Sequence, residues 1–362
     1  MRSVLLGLCW VVVPSVALAQ PAGPPAAPAP EAVSPAAGTG APAVGARDLL
    51  LVGDRYLGAK TPPPSGWRLM ISDLSVFRLN PLGLETRARI GVQKKLYPST
   101  AAITQHNFAF VGAFPKLNPA AAILAVGGEL QPASIFNLRA SAEVQQYFGT
   151  VGFLQSFGSA NANFSDQTLS DLRDDPAMKP QTARILNARI QPLVQLKLGP
   201  IAFKGQAQLD YWVLSNVRDG ETTAYEATYD TLLPDRGWTL STDVDLLYVG
   251  RPGLAIGLRH SHVHPFYEER HFVDAADFAA YAGHNMHSRL GLFAAYTFKD
   301  LGPSTFNKPT VLLIASWYHQ HRYRMGTPDT LPTGGRPDDY TSRAFPYLLA
   351  GFTFESDLWS VR

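Results

Sequence analysis

Residues 85–93 read ETRARIGVQ, and polar side chains alternate there with apolar or small ones. The polar set is Glu85, Arg87, Arg89 and Gln93, and the other set is Thr86, Ala88, Ile90 and Val92. Successive side chains of a β-strand point to opposite faces of the sheet. A period of two over nine residues therefore predicts a strand with one polar face and one apolar face.

The same alternation recurs along most of the chain after Trp67. Four further segments show it clearly: residues 134–145, 187–197, 203–211 and 238–248. Less polar segments predict seven more strands, at residues 69–79, 108–114, 121–130, 254–264, 287–298, 310–323 and 345–355. About twelve strands result, most of them near the ~9–11 residues that a tilted strand needs to cross a bilayer.

The connections after odd-numbered strands tend to be long, and those after even-numbered strands tend to be short. The links after the fifth, seventh, ninth and eleventh strands are long, at about residues 148–186, 215–237, 265–283 and 324–343. Those after the fourth, sixth and eighth are tight, at residues 131–133, 199–200 and 250–253, whereas the early links near Pro81 and Lys116 are short exceptions. Outer-membrane barrels have long external loops and short periplasmic turns, whereas a β-sandwich has no such parity.

The sequence therefore predicts an all-β protein: one transmembrane, antiparallel, up-and-down β-barrel of about twelve strands over residues 67–362. A soluble secreted all-β protein stays an alternative, because its strands also carry one apolar face each.

The N-terminus has the features of an export signal. Met1-Arg2 precedes an apolar run, residues 4–17, which ends in the small-residue pattern Ala17-Leu18-Ala19. This predicts a signal peptide, residues 1–19, cleaved before Gln20. Residues 20–66 form a Pro/Ala-rich leader that we expect to be largely disordered. Outer-membrane lipid and the barrel-assembly machinery are the expected partners, and the outer membrane is the expected location.

Composition excludes several other functions. The chain has 31 Lys and Arg against 29 Asp and Glu, so it has no broad basic surface for nucleic acid. Its single cysteine, Cys9, lies in the predicted signal peptide. No nucleotide, phosphate or zinc-binding motif is present, and the sequence predicts no cofactor.

Three C-terminal sequence segments resemble those of known proteins: residues 309–318, 321–324 and 346–354. With these segments the chain from Trp67 to Arg362 resembles an uncharacterised, porin-like family of bacterial outer-membrane β-barrels. The resemblance implies a fold and a location, and it implies no catalytic residue. The chain ends on Arg362 where assembly signals typically carry an aromatic residue, and Phe352 and Phe354 are expected to take that part.

Twelve charged residues fall on predicted polar faces and are candidates for lining the barrel lumen. They are Arg87, Arg89, Arg139, Glu143, Arg189, Lys197, Lys204, Asp210, Asp243, Asp245, Arg259 and Arg289. They would either pair across the lumen and plug it, or leave a charged constriction that selects small solutes. The favoured function is therefore a small-solute channel or a structural barrel.

Histidines concentrate late in the chain and suggest a metal site near one outer rim. The weak candidate ligands are His260, His262, His264, His284, His287, His319 and His321, with Glu268, Glu269 and Asp274 as oxygen donors. The competing interpretation is decoration of the membrane interface, because His260, His262 and His264 share a face with apolar residues.

A lipid hydrolase at this rim is the alternative function. His262 and Ser288 lie on strands expected to pair, and a serine nucleophile needs a base within reach. No lipase motif surrounds them, so no residue is assigned as catalytic and a barrel without enzyme activity is favoured.

Overall fold

The computed structural model describes residues 63–150, 154–175, 177–178, 182–215, 218–251, 253–300, 304–326 and 339–360. The predicted signal peptide and the leader up to residue 62 lie outside these ranges. The described residues fall within one compact unit. None of the helices in the described ranges is long and apolar enough to cross a membrane.

Strands dominate the described chain, with two short α-helices and one 3-10 turn at Glu269–His271. In chain order the elements are β1 (Trp67–Leu79), β2 (Gly83–Lys94), β3 (Phe108–Ala113), β4 (Lys116–Asn118), β5 (Ala121–Ala133), β6 (Phe136–Tyr147), β7 (Gln155–Phe157), α1 (Asp166–Asp174), β8 (Ala183–Leu198), β9 (Ile201–Ser215), β10 (Thr223–Glu226), β11 (Thr231–Pro234), β12 (Arg236–Arg251), β13 (Leu254–Pro265), α2 (Ala275–Ala279), β14 (His287–Thr297), β15 (Asn307–Gln320) and β16 (Tyr347–Ser360).

Twelve strands close into one antiparallel barrel. Each pairs with its neighbours in chain order, and β3 and β4 together form the third strand. The last strand returns to the first, from the pair Arg68↔Ser360 to the pair Leu79↔Leu348, and this ladder closes the sheet. The predicted barrel is confirmed, and each predicted strand segment coincides with an observed strand.

Alternation along the strands separates an apolar outside from a polar inside. Val111 and Leu198 point outward and are 70% and 71% exposed, whereas Arg89 and Asp245 point inward and are 2% and 0% exposed. An outward apolar band with polar lumen side chains is the pattern of a membrane barrel. At Gly127 a Cβ atom would lie 2.2 Å from the carbonyl oxygen of Ala140, so only glycine permits this approach of β5 to β6.

The connections divide the barrel into a loop end and a turn end. The long links after β6, β9, β13 and β15 all lie at the loop end. The third strand departs from the prediction, because it is interrupted at Phe114-Pro115 and continues to Asn118, whereas the prediction ended it at Phe114 and placed a link near Lys116. Pro115 has no N–H to donate to a ladder, which explains the interruption.

A second sheet, absent from the sequence prediction, closes the loop end. Its strand order is β11-β10-β7, and the residues of these three strands are buried. The turn at residues 227–230 joins β10 to β11 and contacts inward side chains of the barrel wall. We call β7, β10, β11 and this turn the roof.

Candidate functional site

A cavity of about 250 Å³ lies inside the barrel beneath the roof. Eight basic side chains and three acidic ones line it: Arg78, Arg87, Lys116, Arg139, Arg189, Lys204, Arg259 and Arg289, with Glu85, Glu226 and Asp243. The wall thus presents an excess of positive charge, and the cavity is the candidate functional site.

Seven of the twelve residues predicted from the sequence line this cavity; they are Arg87, Arg139, Arg189, Lys204, Asp243, Arg259 and Arg289. The other five are Arg89, Glu143, Lys197, Asp210 and Asp245, and all five are buried. Arg78 and Lys116 also line the cavity, although the sequence analysis did not select them.

One buried network joins Glu143 and Asp210 through Arg189. The Nη1 atom of Arg189 donates to Glu143 over 2.7 Å, and its Nε atom donates to Asp210 over 2.7 Å. Lys116 reaches Glu143 at 3.1 Å. The hydroxyl of Tyr229, on the roof turn, donates to Asp210 over 2.7 Å. The roof is therefore hydrogen-bonded to the charged wall of the cavity.

A second network is centred on Asp245. Its carboxylate accepts from Arg259 at 2.6 and 2.8 Å and from Lys204 at 3.4 Å. The register places Asp245 directly opposite Lys204 on β9 and opposite Arg259 on β13. Cross-strand neighbours of opposite charge stabilise a sheet, so this triad also holds the register of three strands.

Side chains of the wall itself fill the barrel nearer the turn end. Glu129 accepts from Arg89 at 3.0 Å and from Arg139 at 2.9 Å. The guanidinium of Arg89 lies 3.5 Å from the centre of the Phe110 ring, and Met70 is fully buried beside it. We call Met70, Arg89, Phe110 and Glu129 the floor.

Asp230 connects the roof to the barrel. Its carboxylate accepts from both Nε and Nη2 of Arg324. The hydroxyls of Tyr318 and Tyr225 donate to it over 3.1 and 2.9 Å, and His321 Nε2 lies 3.1 Å away. Burial alone would raise the pKa of Asp230, but Arg324 and then His321 outweigh burial and hold that pKa well below its ordinary value.

The barrel wall separates the histidines that the sequence analysis grouped. His260, His262, His264 and His319 lie on the outward face, whereas His287 and His321 are buried inside and His284 belongs to the β13–β14 connection. The reason is strand parity, because His287 and the adjacent Ser288 point to opposite faces. Among the residues that the structure describes, no three histidine or acidic side chains are positioned to hold a metal ion.

Two close contacts occur on the outward face. The Nε2 atoms of His260 and His319 are 3.2 Å apart, and Nδ1 of His262 lies 2.7 Å from Oγ of Ser288. The proposed oxygen donors take no part in these contacts. Glu268 pairs with Arg270 at 3.0 Å, and Asp274 accepts from the backbone N–H of Asp277 as the N-cap of α2.

The closed sheet, the apolar exterior and the charged interior define the architecture of an outer-membrane β-barrel. No family model and no curated protein matches the sequence. The predicted resemblance to bacterial outer-membrane β-barrels is confirmed as a structural similarity.

Several solved barrel structures are similar to this chain. The NanC porin has a TM-score of 0.34 at 8% identity, over 80% of this chain and 100% of that chain. The translocator domain of the autotransporter NalP from Neisseria meningitidis has a TM-score of 0.33 at 10% identity, over 81% and 88%. OccD3 (OpdP) of Pseudomonas aeruginosa has a TM-score of 0.29 at 10% identity, over 83% and 93%.

Proposed function

We propose that this protein is an outer-membrane channel for small polar solutes, exported through a cleaved signal peptide at residues 1–19. The charged cavity in the middle of the barrel carries the proposal. Its volume of about 250 Å³ lies below the roughly 300–1,000 Å³ typical of sites for drug-sized ligands, so its solutes are small.

The roof is the gate in this proposal. It is a loop segment, not a barrel strand, so it can move away while the twelve-strand ladder stays intact. Asp230 attaches it through Arg324 and Tyr318, and Tyr229 attaches it through Asp210. The floor consists of wall side chains, so in this proposal a solute passes it through changes of side-chain rotamer and not through movement of a loop segment.

Conductance in planar bilayers tests the proposal with a matched pair of variants. Asp230→Ala removes the carboxylate that joins the roof to Arg324 and Tyr318, and Asp219→Ala removes an exposed carboxylate from the same loop. We expect more frequent openings for Asp230→Ala than for the wild type, and no change for Asp219→Ala. If neither the wild type nor Asp230→Ala conducts at any voltage or salt concentration, the protein is a structural barrel.

A second candidate function rests on one contact, the 2.7 Å distance between His262 Nδ1 and Ser288 Oγ. On the lipid-facing surface this pair could hydrolyse an acyl ester. Ser288 Oγ would attack the carbonyl and give its proton to His262, which would return it to the leaving alkoxide before water releases the acyl group. Ser288 is only 4% exposed, which favours the channel over the hydrolase.

Phospholipid hydrolysis in mixed micelles separates the two candidates. The hydrolase predicts fatty-acid release by the wild type, loss of release in Ser288→Ala and His262→Ala, and full release in Ser75→Ala, which removes another outward hydroxyl. The absence of release by the wild type would eliminate this candidate and leave the channel unaffected.

A further inference from the structure

We propose that the cavity binds small anions that carry a carboxylate or phosphate group, with Arg289 as their anchor. This inference rests on the proposed function, because it takes the cavity as the solute path and names the charge of the solute.

Two cations of the cavity wall form no ion pair with the described residues: Arg78, which donates to the hydroxyl of Thr228 over 3.1 Å, and Arg289. The guanidinium of Arg289 lies 4.2 Å from the centre of the Tyr347 ring and 6.0 Å from that of Tyr318. Its Nε atom is buried and has no hydrogen-bond partner among the described residues. Among the described residues, no carboxylate lies within ion-pair distance of the Arg289 guanidinium, and the nearby Asp243 and Asp245 lie beside Arg259.

A buried N–H without an acceptor is costly, so an acceptor supplied by a solute would be stabilising. Guanidinium is suited to this role, because its planar set of donors matches two oxygens of a carboxylate or phosphate.

The other cations of the wall strengthen the field at Arg289. Arg139, Arg189, Lys204 and Arg259 are paired, but their partner carboxylates do not line the cavity. Those partners are Glu129, Glu143, Asp210 and Asp245, and at most 1% of each of their side chains is exposed. A solute therefore meets the cations first, and a cavity lined by one sign of charge concentrates ions of the other sign.

The three acids of the wall are already engaged with the protein. Glu85 pairs with Arg87. Glu226 accepts the hydroxyl of Tyr147 at 3.2 Å and the backbone N–H groups of the roof turn. Asp243 accepts from Ser261 and lies 3.9 Å from Arg259. Because each has its own donors, these acids offer a solute cation less than Arg289 offers a solute anion.

Titration calorimetry on the detergent-solubilised full chain tests binding directly. The probe is succinate, with neutral succinamide and cationic putrescine as comparators. We expect succinate to bind and the two comparators not to bind. Arg289→Gln should weaken the affinity for succinate about tenfold or more. Arg289→Lys should restore part of that affinity, since lysine returns the positive charge without the planar pair of guanidinium donors. Arg173→Gln, in the exposed helix α1, should bind like the wild type. Each protein is also titrated in the Asp230→Ala background, so that a closed roof cannot hide the site.

Reversal potentials in a KCl gradient provide the second readout. We expect selectivity for chloride over potassium, reduced in Arg289→Gln and unchanged in Arg173→Gln. A conducting, cation-selective protein that does not bind succinate would overturn this inference and leave the channel standing. Succinate binding by a protein that never conducts would overturn the channel and leave the anion site standing.

Discussion

The roof and the floor close the same lumen by different means. The roof is a small sheet formed by the loops after β6 and β9, and Asp230 joins it to the wall. The floor consists of side chains that belong to the wall, such as Arg89 and Glu129, on strands that also carry the barrel ladder. Weakening the roof should therefore open the loop end alone, whereas weakening the floor should destabilise the whole barrel.

Asp230→Ala should have the largest effect. The substitution leaves the buried Arg324 with only the exposed carboxylate of Asp166 and removes the acceptor of two tyrosine hydroxyls. Breaking a buried ion pair from one side costs about 3–5 kcal/mol. We expect a loss of that size in the opening free energy of the roof, measured by hydrogen exchange at residues 223–226 and 231–234.

Asp219→Ala is the matched control, and it should leave exchange in the roof unchanged. If the amides of the roof stay as protected in Asp230→Ala as in the wild type, Asp230 does not hold the roof.

Glu129→Gln probes the floor. It keeps the shape of the side chain and removes the negative charge that Arg89 and Arg139 share. Hydrogen bonds to charged groups contribute about 1.5–3 kcal/mol, so we expect the free energy of barrel unfolding to fall by about 2–3 kcal/mol. Heat-modifiable gel migration over a denaturant series measures this unfolding.

In Glu129→Gln, the ratio of amide exchange rates in the roof to those in the barrel strands should equal that of the wild type. A selective loss of protection in the roof would show that roof and floor are coupled. Asp174→Asn, an exposed change at the end of α1, serves as the control.

The sequence predicted the wall of this site better than its closure. Five barrel strands followed from the period of two, because membrane and lumen impose opposite polarities on alternate residues, and the other seven followed from less polar segments. β1 breaks the rule. Leu74 and Val76 point inward, while Asp73 and Ser75 point outward and share a hydrogen bond at 3.1 Å. Arg78 on the same strand was therefore not recognised as a lumen residue.

The roof could not be predicted, because its strands have only three or four residues each and alternation cannot be read over so few positions. Asp230 and Arg324 are 94 positions apart and meet only in the folded barrel. The pairing of Arg189 with Asp210, in contrast, follows directly from the register of β8 and β9.

pH should distinguish the loop end from the floor. Burial, and then the charge of Arg322, lower the pKa of His284 to about 4 from its ordinary 6.5. The folded loop therefore favours the neutral ring, so its stability is complete above pH 6.5 and is lost as the pH falls toward 4. Because the ring is partly exposed, we expect a loss of about 1–2 kcal/mol in the opening free energy of this loop between pH 7 and pH 4.5. Hydrogen exchange of residues 266–286 measures that free energy.

His284→Phe should flatten this dependence, since it keeps the ring contact with Tyr281 and removes the titrating nitrogen atoms. An equal pH dependence in the variant would assign the effect to another group of the loop end.

Tyr318→Phe should have the smallest effect and separates the parts of the roof attachment. The ring would keep its contacts with His287 and Arg289, and only the hydroxyl that donates to Asp230 over 3.1 Å would be lost. One such bond is worth about 1 kcal/mol, so exchange of the roof should rise about fivefold while barrel unfolding stays constant. Tyr211→Phe, an outward tyrosine that packs on Trp238, is the control.

In the Asp230→Ala background the Tyr318 hydroxyl has no carboxylate to donate to, so Tyr318→Phe should then leave the opening free energy of the roof nearly unchanged. An equal cost in both backgrounds would mean that the hydroxyl acts elsewhere, and that Arg324 and His321 hold Asp230 without Tyr318.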